Sequence, residues 1–242
     1  MGFERLSEHT MVSIGKNFKC NIGVIETGEY TVVVDTGHSL SDGQKVVEEI
    51  RKSQLSPVKY LIYTHYHQDH TGGAGAFGSE IEIIAQAKTH ELMLAGVSRI
   101  PEHIFETEMS LSGKLVEFNL QDTGAHCPGA LLVHVPSEQI IFAGDNLFQG
   151  CCPYLAEADF IKIQRILKWL LEVDPIKIVP GHGRVANRDD VELMLSYVEA
   201  LIEYGQEGDR NKNFGELFLK DWAGFHQGNL ESALRQFTKQ IF

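Results

Sequence analysis

The sequence is poor in positive charge. Of its 242 residues, 21 are Lys or Arg and 33 are Asp or Glu, which gives a formal net charge of -12. Affinity for DNA or RNA comes largely from Lys and Arg side chains that neutralise phosphates. The acidic balance and the lack of a polybasic run therefore argue against a nucleic-acid partner. We expect the partner to be a small-molecule substrate.

The chain also has few cysteines and no long apolar segment. Its four cysteines lack the spacing of a disulfide framework; they are Cys20, Cys127, Cys151 and Cys152. No stretch resembles a signal peptide or reaches the roughly 18 apolar residues of a membrane-spanning helix. These absences predict a cytoplasmic protein that does not enter a membrane. The thiols are expected to be small loop or core residues, not metal ligands.

Histidine and carboxylate are concentrated in one short segment. The run His65-Tyr66-His67-Gln68-Asp69-His70 holds three imidazoles and one carboxylate, which are the standard ligands of zinc and related ions. It follows an apolar run over 58–63 that predicts a buried strand, and it precedes a Gly-rich turn into a helix at 71–75. An exposed His-rich loop is the alternative, but this run is internal and follows a buried strand. At such a junction His65 and His67 can reach one ion, and Asp69 and His70, further along the loop, can reach a second.

Further candidate ligands lie near the ends of other predicted strands. His126 is at the centre of a Gly- and Pro-bounded loop over 122–129. The segments 131–135 and 139–144 predict a β-hairpin whose second strand ends at Asp145. A short β-branched strand over 176–179 runs into Pro180-Gly181-His182-Gly183. Because open α/β sheets place their sites at the carboxyl ends of strands, we expect these side chains to meet.

These motifs, in this order and spacing, resemble those of the metallo-β-lactamase-fold hydrolase superfamily over about residues 11 to 205. The resemblance implies an α/β fold, a four-layer αββα sandwich with a short C-terminal helical extension. It also implies two divalent metal ions, zinc being favoured and iron or manganese possible. By this resemblance the ligands of the first ion would be His65, His67 and His126. Those of the second would be Asp69, His70 and His182, and Asp145 would bridge the two ions with a water or hydroxide between them.

Other residues around these motifs are given supporting roles. Asp69 and Tyr154 are the candidate catalytic residues, and the hydroxyl of Tyr154 or Tyr66 could donate a hydrogen bond to a developing oxyanion. The turn that contains Asp35 often supports the metal loops in the family that this chain resembles, so Asp35 could orient a ligand. The remaining histidines are expected to be surface or core residues: His9, His38, His90, His103, His134 and His226.

The function implied by the resemblance is a dinuclear metal-dependent hydrolase, using a metal-bridging hydroxide on a small ester, thioester or lactone. Residues 144–154 look like the counterpart segment of the hydroxyacylglutathione hydrolases, but these have a basic residue near the position of Pro153. The bridging Asp145 points away from the zinc β-lactamases. The alternatives are a mononuclear iron oxygenase of the persulfide dioxygenase type, a β-lactam or phosphodiester hydrolase, and a binding protein with a vestigial metal site.

The rest of the chain is expected to contain several helices and a tail. Hydrophobic periodicity predicts helices over Ser41–Leu55 and Asp159–Glu172, a third from Asp189 with a capping box completed by Glu192, and a last from Asn229. Residues 1–205 form the predicted catalytic domain, and Gly205–Asn213 is predicted to be a linker. Residues 206–242 form a predicted helical tail that packs on the domain or at a homodimer interface, and a lid over the metals is the further alternative. The segment Gly96–Ser112 is a predicted mobile wall of the pocket.

Overall fold

A computed structural model describes residues 2–16, 19–93, 99–207, 214, 220–221 and 223–238 of the chain. In these ranges seven strands, in chain order, form the first sheet. They are β1 (Glu4–Arg5), β2 (Thr10–Ser13), β3 (Ile22–Glu26), β4 (Thr31–Val34), β5 (Val58–Ile62), β6 (Glu82–Gln86) and β7 (His103–Phe105). Strands β1 to β4 pair antiparallel, and β4 to β7 pair parallel. The carboxyl ends of β4 and β5 therefore lie side by side, which brings the residues after them together.

The same described ranges contribute five strands to a second sheet, in the order β12-β11-β10-β9-β8. They are β8 (Glu108–Ser112), β9 (Glu117–Asp122), β10 (Leu131–Val135), β11 (Ile140–Phe148) and β12 (Lys177–His182). Strands β8 to β11 form antiparallel pairs, and β12 pairs with β11 in parallel. The hairpin predicted from the sequence is formed by β10 and β11, joined by a short 3₁₀ turn at Pro136–Glu138.

Helices cover the outer faces of both sheets. Within the described residues these are α1 (Leu40–Lys52), α2 (Gln68–Thr71), α3 (Ala87–Met93), α4 (Phe160–Val173), α5 (Arg188–Glu207) and α6 (Phe225–Thr238). Apolar side chains of both sheets, such as Val32 and Val133, fill the space between the sheets. Val46 and Ile50 of α1 pack on the outer face of the first sheet, α4 and α5 pack on that of the second, and α6 packs on α4 and α5. The predicted α/β architecture of two sheets flanked by helices is confirmed.

Strand and helix boundaries near the candidate ligands differ from those predicted. Strand β11 does not end at Asp145 but continues to Phe148, because its pairing with β12 resumes at Phe148 and His182 after register shifts around Gly144. Asp69 and His70 lie on the one-turn helix α2 and not in an extended loop. Both corrections follow from pairing and hydrogen bonds that the local sequence pattern does not specify.

Helix starts were predicted with mixed success. Helix α4 begins after Asp159, whose carboxylate accepts from the Lys162 N–H, as expected of an N-cap. Helix α5 begins one residue before the predicted start, and its capping box is not the predicted one. The Asp190 N–H donates to Asn187 Oδ1 at 3.0 Å, and the Asn187 N–H donates to Asp190 Oδ2 at 2.9 Å. The predicted partner Glu192 instead pairs with Arg188.

The C-terminal helix α6 packs against the body of the chain. Its Ala233 and Phe237 belong to the same buried apolar cluster as α4 and α5. Gly205 permits this close approach, since a Cβ there would lie 2.6 Å from the Phe237 ring. Helix α6 starts four residues before the predicted Asn229, and α5 includes the first three residues of the predicted linker. A homodimer through this helix remains a prediction.

Some predictions fall on residues that lie outside the described ranges. These include positions 208–213 of the linker, the tail residues Leu217, Phe218, Trp222 and Ile241, and positions 96–98 of the predicted pocket wall. Among the described residues, no helix combines the length and the apolar character that crossing a bilayer requires.

The hydrogen bonds of Asp42 in the first turn of α1 make the stability of the fold depend on pH. Ser39 Oγ accepts from the Asp42 N–H at 3.3 Å and donates to Asp42 Oδ2 at 3.0 Å. Lys19 Nζ donates to Asp42 Oδ1 at 2.6 Å, and the Asp42 side chain is only 2% exposed. Burial alone would raise the pKa of Asp42, but these hydrogen bonds and the charges of Lys19 and Lys45 outweigh it, so the pKa lies below its usual value.

We expect Asp42→Ala to lower the free energy of unfolding at pH 7 by about 1–3 kcal/mol, since it removes a cap and a charged hydrogen bond. Because the folded-state pKa is lowered, this contribution is complete above the unfolded pKa of about 3.9. It is lost as the pH falls through the folded-state value. Urea unfolding of both proteins between pH 7 and pH 3 checks this. Glu48→Ala is the control, because Glu48 forms an exposed ion pair with Lys52 on α1 and its loss should change stability far less than the loss of Asp42. A pH-independent difference between Asp42→Ala and the native protein would contradict the assignment.

Candidate metal centre

The two sheets bring the predicted ligands to one edge of the molecule. His65 and His67 follow β5, with His67 at the N-cap of α2, which carries Asp69 and His70. The remaining three come from the second sheet: His126 from the loop between β9 and β10, Asp145 from within β11, and His182 from the end of β12. Their metal-binding atoms form two groups, each within 4.8 Å.

The first group contains His65, His67, His126 and Asp145. His67 Nδ1 lies 3.3 Å from His126 Nε2, and His126 Nε2 lies 3.6 Å from Asp145 Oδ2. His65 Nε2 is 3.8 Å from the same carboxylate oxygen. Three imidazole nitrogens from two sheets therefore surround one oxygen of Asp145, which is an arrangement that a single cation could share.

The second group contains Asp69, His70 and His182. Asp69 Oδ2 lies 3.2 Å from His182 Nε2 and 3.5 Å from His70 Nε2. The other oxygen of Asp145, Oδ1, lies 3.2 Å from His70 Nε2 and 3.6 Å from His182 Nε2. Asp145 thus presents one oxygen to each group, as a bridging ligand would.

Unsatisfied buried atoms at this place fit a bound cation. His65 Nε2, His70 Nε2 and Asp145 Oδ1 are buried without a hydrogen-bond partner. Buried polar atoms are normally paired, since leaving one unpaired is costly. A cation bound between these atoms would satisfy all three. A set of imidazoles and carboxylates suits divalent zinc, iron or manganese.

The charges of the site also favour a cation. Burial alone would lower the pKa of His70, but the carboxylates of Asp145, Asp35 and Asp69 hold it well above its usual value. Burial would raise the pKa of Asp69, yet His70 and His182 lower it to about 2. The carboxylates are therefore ionised at neutral pH and hold the nearest imidazole in its charged form. A divalent ion would take the place of that proton.

His65 and His126 are neutral imidazoles, the form in which histidine binds metals. Burial lowers the pKa of His65 well below its usual value, and the charged His70 lowers it further. Burial is also the main reason why the pKa of His126 falls to about 4. By contrast, burial raises the pKa of the Cys127 thiol, and no cysteine joins either group within the described ranges.

Asp35 orients one of the candidate ligands. The residue is almost fully buried, and its Oδ2 lies 2.7 Å from His70 Nδ1. The same oxygen accepts from Thr64 Oγ1 at 2.8 Å, and Oδ1 accepts from the Thr64 N–H at 2.8 Å. With Nδ1–H bound to Asp35, His70 presents Nε2 to the metal-binding groups. Carboxylates commonly hold ligating histidines in this way.

Two glycines permit the close approach of the elements around Asp145. At Gly181 a Cβ would lie 1.8 Å from Asp145 Oδ1, so any side chain there would displace the carboxylate. Gly144 has a φ of 52° and lies against Thr64, where a Cβ would come within 2.9 Å. The Gly-Asp and Gly-His sequences are thus needed to bring β11 and β12 against the His65 loop.

A cavity of about 380 Å³ opens beside the two groups. The candidate catalytic residue Tyr154 lines it, with its ring 6.0 Å from that of His67 and its hydroxyl 3.5 Å from Glu157 Oε1. Tyr66 also donates to Glu157. The catalytic role of Tyr154 and of Asp69 remains a prediction. Residues 99–112 of the predicted mobile wall form β7, β8 and their connections, and none of them lines this cavity.

Three residues that were not predicted to belong to the site also line the cavity: Phe148, Glu157 and Phe225. Phe148 stacks on His182 with ring centroids 5.3 Å apart, and Glu157 Oε1 lies 3.4 Å from His67 Nε2. Phe225 reaches the site from α6. The six discounted histidines belong to neither group; His134, for example, packs edge-on against Trp169.

Comparison with known proteins agrees with this geometry. The family model of the metallo-beta-lactamase superfamily matches residues 15–182. This match spans more than half of the chain and includes all seven candidate ligands. The chain therefore belongs to the metallo-β-lactamase superfamily.

Relatives within the superfamily match only in part. A hydroxyacylglutathione hydrolase from Shewanella halifaxensis is 30% identical over 182 residues, which are 71% of this chain and 64% of that protein. A linear primary-alkylsulfatase from a Pseudomonas species is 36% identical over 93 residues, which are 38% of this chain and 17% of that protein. The chain thus spans less than two thirds of the length of either relative.

Solved structures share the fold. A metallo-β-lactamase from Pontibacter korlensis superposes with a TM-score of 0.73 at 20% identity, over 81% of this chain and 98% of the other. The sec-alkylsulfatase Pisa1 from a Pseudomonas species superposes with a TM-score of 0.78 at 14% identity, over 98% of this chain and 50% of the other. At such identities the likeness establishes the architecture and not the substrate.

Proposed function

We propose that this protein is a metal-dependent hydrolase that cleaves a small ester, thioester or lactone. The observation that carries the proposal is the convergence of five imidazoles and two carboxylates into two groups joined by Asp145. Two divalent ions held there, zinc being favoured, would polarise the scissile carbonyl and lower the pKa of the attacking water. No serine or cysteine nucleophile is required.

The geometry supports a positioning role for Asp69. Its side chain is 34% exposed, which makes it the most accessible carboxylate of the two groups. A carboxylate with a pKa of about 2 is a poor proton acceptor near neutral pH. We therefore assign Asp69 to holding the second ion and orienting the attacking water, not to general-base catalysis.

Tyr154 is suited to donate a hydrogen bond during the reaction. Burial and the neighbouring Glu157 raise the pKa of its hydroxyl, so the group stays protonated at neutral pH. A protonated hydroxyl at the wall of the cavity can stabilise the oxyanion that forms when water attacks a carbonyl.

The relatives favour an acyl substrate without identifying its carrier. A hydroxyacylglutathione hydrolase acts, by its name, on a glutathione thioester, which supports the thioester class. Pro153 stands near the place where those enzymes have a basic residue, and its carbonyl accepts from Asn229 at 2.8 Å. The cavity contains no Lys or Arg among its described lining residues. A thioester of a less anionic carrier than glutathione is therefore favoured.

A second candidate is the hydrolysis of alkyl sulfate esters. The linear primary-alkylsulfatase shares 36% identity over 93 residues, and the likeness to the sec-alkylsulfatase extends over 98% of this chain. The superposition on the sec-alkylsulfatase, which covers 98% of this chain, therefore includes most of α6. The same two metal-binding groups could serve a sulfate ester, since its charged oxygens are also stabilised by cations.

A hydrolysis screen of the zinc-loaded protein tests the proposal. We expect turnover of at least one ester, thioester or lactone, reduced by roughly two orders of magnitude or more on chelation and restored by added zinc. Exclusive turnover of an alkyl sulfate would favour the second candidate. β-Lactams and phosphodiesters serve as comparison substrates. Oxygen consumption by an iron-loaded protein that hydrolyses nothing would overturn the hydrolase assignment in favour of an oxygenase.

A further inference from the structure

Aromatic side chains line the cavity together with the candidate ligands. The lining includes His67, Asp69, Asp145 and His182 and the aromatic residues Phe148, Tyr154 and Phe225. A volume of about 380 Å³ falls in the range of about 300–1,000 Å³ that is typical of small-molecule sites. The cavity therefore has room for a substituent in addition to the reacting group.

Phe148 and Tyr154 each contact histidines among the candidate ligands, and Phe225 packs on Tyr154. Phe148 stacks on the His182 ring with an interplanar angle of 16°. Tyr154 makes an edge contact with the His126 ring at 6.2 Å, and Phe225 packs on Tyr154 at 5.3 Å. A ligand whose reacting group lies among the histidines would thus place its next atoms against an aromatic surface.

Helix α6 is held firmly in the position that puts Phe225 in the cavity. Asn229, which is fully buried in this helix, accepts from the Leu155 N–H at 2.9 Å and donates to Pro153 O at 2.8 Å. Ser232 Oγ donates to Ala156 O at 3.0 Å. These bonds hold α6 against the segment that carries Tyr154, so the aromatic surface is formed before any ligand arrives.

The charges on the cavity wall disfavour an anionic substituent. Glu157 lies at the rim, accepts from the hydroxyls of Tyr66 and Tyr154, and faces His67 Nε2 at 3.4 Å. The Glu157 carboxylate is therefore already bound by groups of the protein. The described wall also contains no Lys or Arg, so apart from the exposed Gln68 the aromatic rings are the surface that a substituent would meet.

We infer that Phe148, Tyr154 and Phe225 form a subsite for an uncharged apolar group of the substrate, either a hydrocarbon chain or an aryl group. The C-terminal helix thereby contributes a specificity-determining residue, Phe225, to a site whose other residues come from strand ends, from α2 and from the segment between β11 and α4. This inference rests on the proposed hydrolase function and specifies the class of its substrate.

Chain-length dependence tests the subsite. With the zinc-loaded full chain, we expect 4-nitrophenyl octanoate to have a higher kcat/KM than the acetate. Phe225→Ala should lower kcat/KM for the octanoate about tenfold, mainly through KM, and change that for the acetate less than about twofold, because only the longer chain reaches the ring. Phe225→Leu should retain most of the preference, since it keeps an apolar surface.

Phe237→Ala is the matched control, because Phe237 lies on the same helix but packs against Phe160, outside the cavity. The bonds of Asn229 and Ser232 still hold α6 beside Tyr154 in this variant, so it should keep the preference for the octanoate. If Phe225→Ala changed both esters equally, or changed neither, Phe225 would be a packing residue and the subsite would be refuted.

A binding measurement separates this inference from the proposed function. Calorimetric titration of the zinc-loaded protein with octanoate and with acetate needs no turnover. We expect octanoate to bind more tightly than acetate and to lose about tenfold in affinity in Phe225→Ala. If this pattern holds while no ester is hydrolysed, the subsite stands and the hydrolase assignment fails. Equal affinity for both carboxylates in both proteins would overturn the subsite.

Discussion

Replacing Asp145 by Ala is expected to reduce metal content by at least one ion per chain and to lower kcat/KM by roughly a thousandfold or more. A cation contributes several kcal/mol of charge stabilisation, and each 1.4 kcal/mol is about tenfold in rate. Asp145 is the residue with the largest expected effect because its two oxygens lie between the groups, 3.2 Å from His70 Nε2 and 3.6 Å from His126 Nε2. Metal analysis and ester turnover measure both effects.

The fold of the Asp145→Ala protein should remain intact, because the apolar clusters on both sides of β11 do not depend on this carboxylate. Circular dichroism and a thermal melt of the metal-free proteins check this. Asp122→Ala is the matched control: Asp122 ends β9 near the same edge but belongs to neither metal-binding group. The Asp122→Ala protein should bind metal and turn over the ester as the native protein does. Normal metal content and turnover in Asp145→Ala would refute the bridging role.

Asp35→Asn is expected to weaken zinc binding about 10–100-fold, as loss of a carboxylate that holds a ligating histidine typically does. The substitution keeps the size of the side chain, and Asn tolerates the positive φ of 61° at this position. Its amide can still accept from the Thr64 N–H, but its NH₂ group would then face His70 Nδ1. His70 would lose the acceptor that directs Nε2 to the metal-binding groups. Competition with a chromophoric chelator measures the affinity.

The appropriate control is Asp174→Asn, because Asp174 also has a positive φ, of 47°, but lies at the C-cap of α4, away from the site. This variant should bind zinc as the native protein does. Equal affinities in Asp35→Asn and the native protein would mean that Asp35 supports only the loop that contains Thr64 and not the ligand.

The metal-binding residues could be predicted because their chemistry is local in the sequence. His65, His67, Asp69 and His70 lie within one short segment, and the structure brings their side chains together through one strand end and one helical turn. His126, Asp145 and His182 are distant in the sequence and could be added because they lie near the ends of predicted strands, in motifs that follow the order typical of the superfamily. Their ligand roles remain to be tested.

The departures from prediction have tertiary causes. Asp145 and Asn146 after Gly144 are typical of a strand end, yet β11 continues because β12 provides a parallel partner as far as His182. Asn229 is typical of an N-cap, and Gly228 before it is a weak helix former. The helix nevertheless begins at Phe225, since Asn229 is buried within it and satisfied by Leu155 and Pro153.

The aromatic and acidic residues of the cavity could not be derived from the sequence. Phe225 approaches Tyr154 only because α6 packs back onto the segment before α4. No motif in the sequence distinguishes Glu157 from other acidic residues. In the structure its carboxylate lies against His67 and Tyr66. Periodicity identifies which face of a helix is apolar but not which distant segment that face will contact.

Titration of the metal-free protein with zinc, followed by calorimetry, tests the central claim most directly. The convergence of the seven side chains on Asp145 predicts two zinc ions bound per chain, with one of them lost in Asp145→Ala. A protein that binds no zinc, and takes up neither iron nor manganese when these are offered instead, would contradict the account.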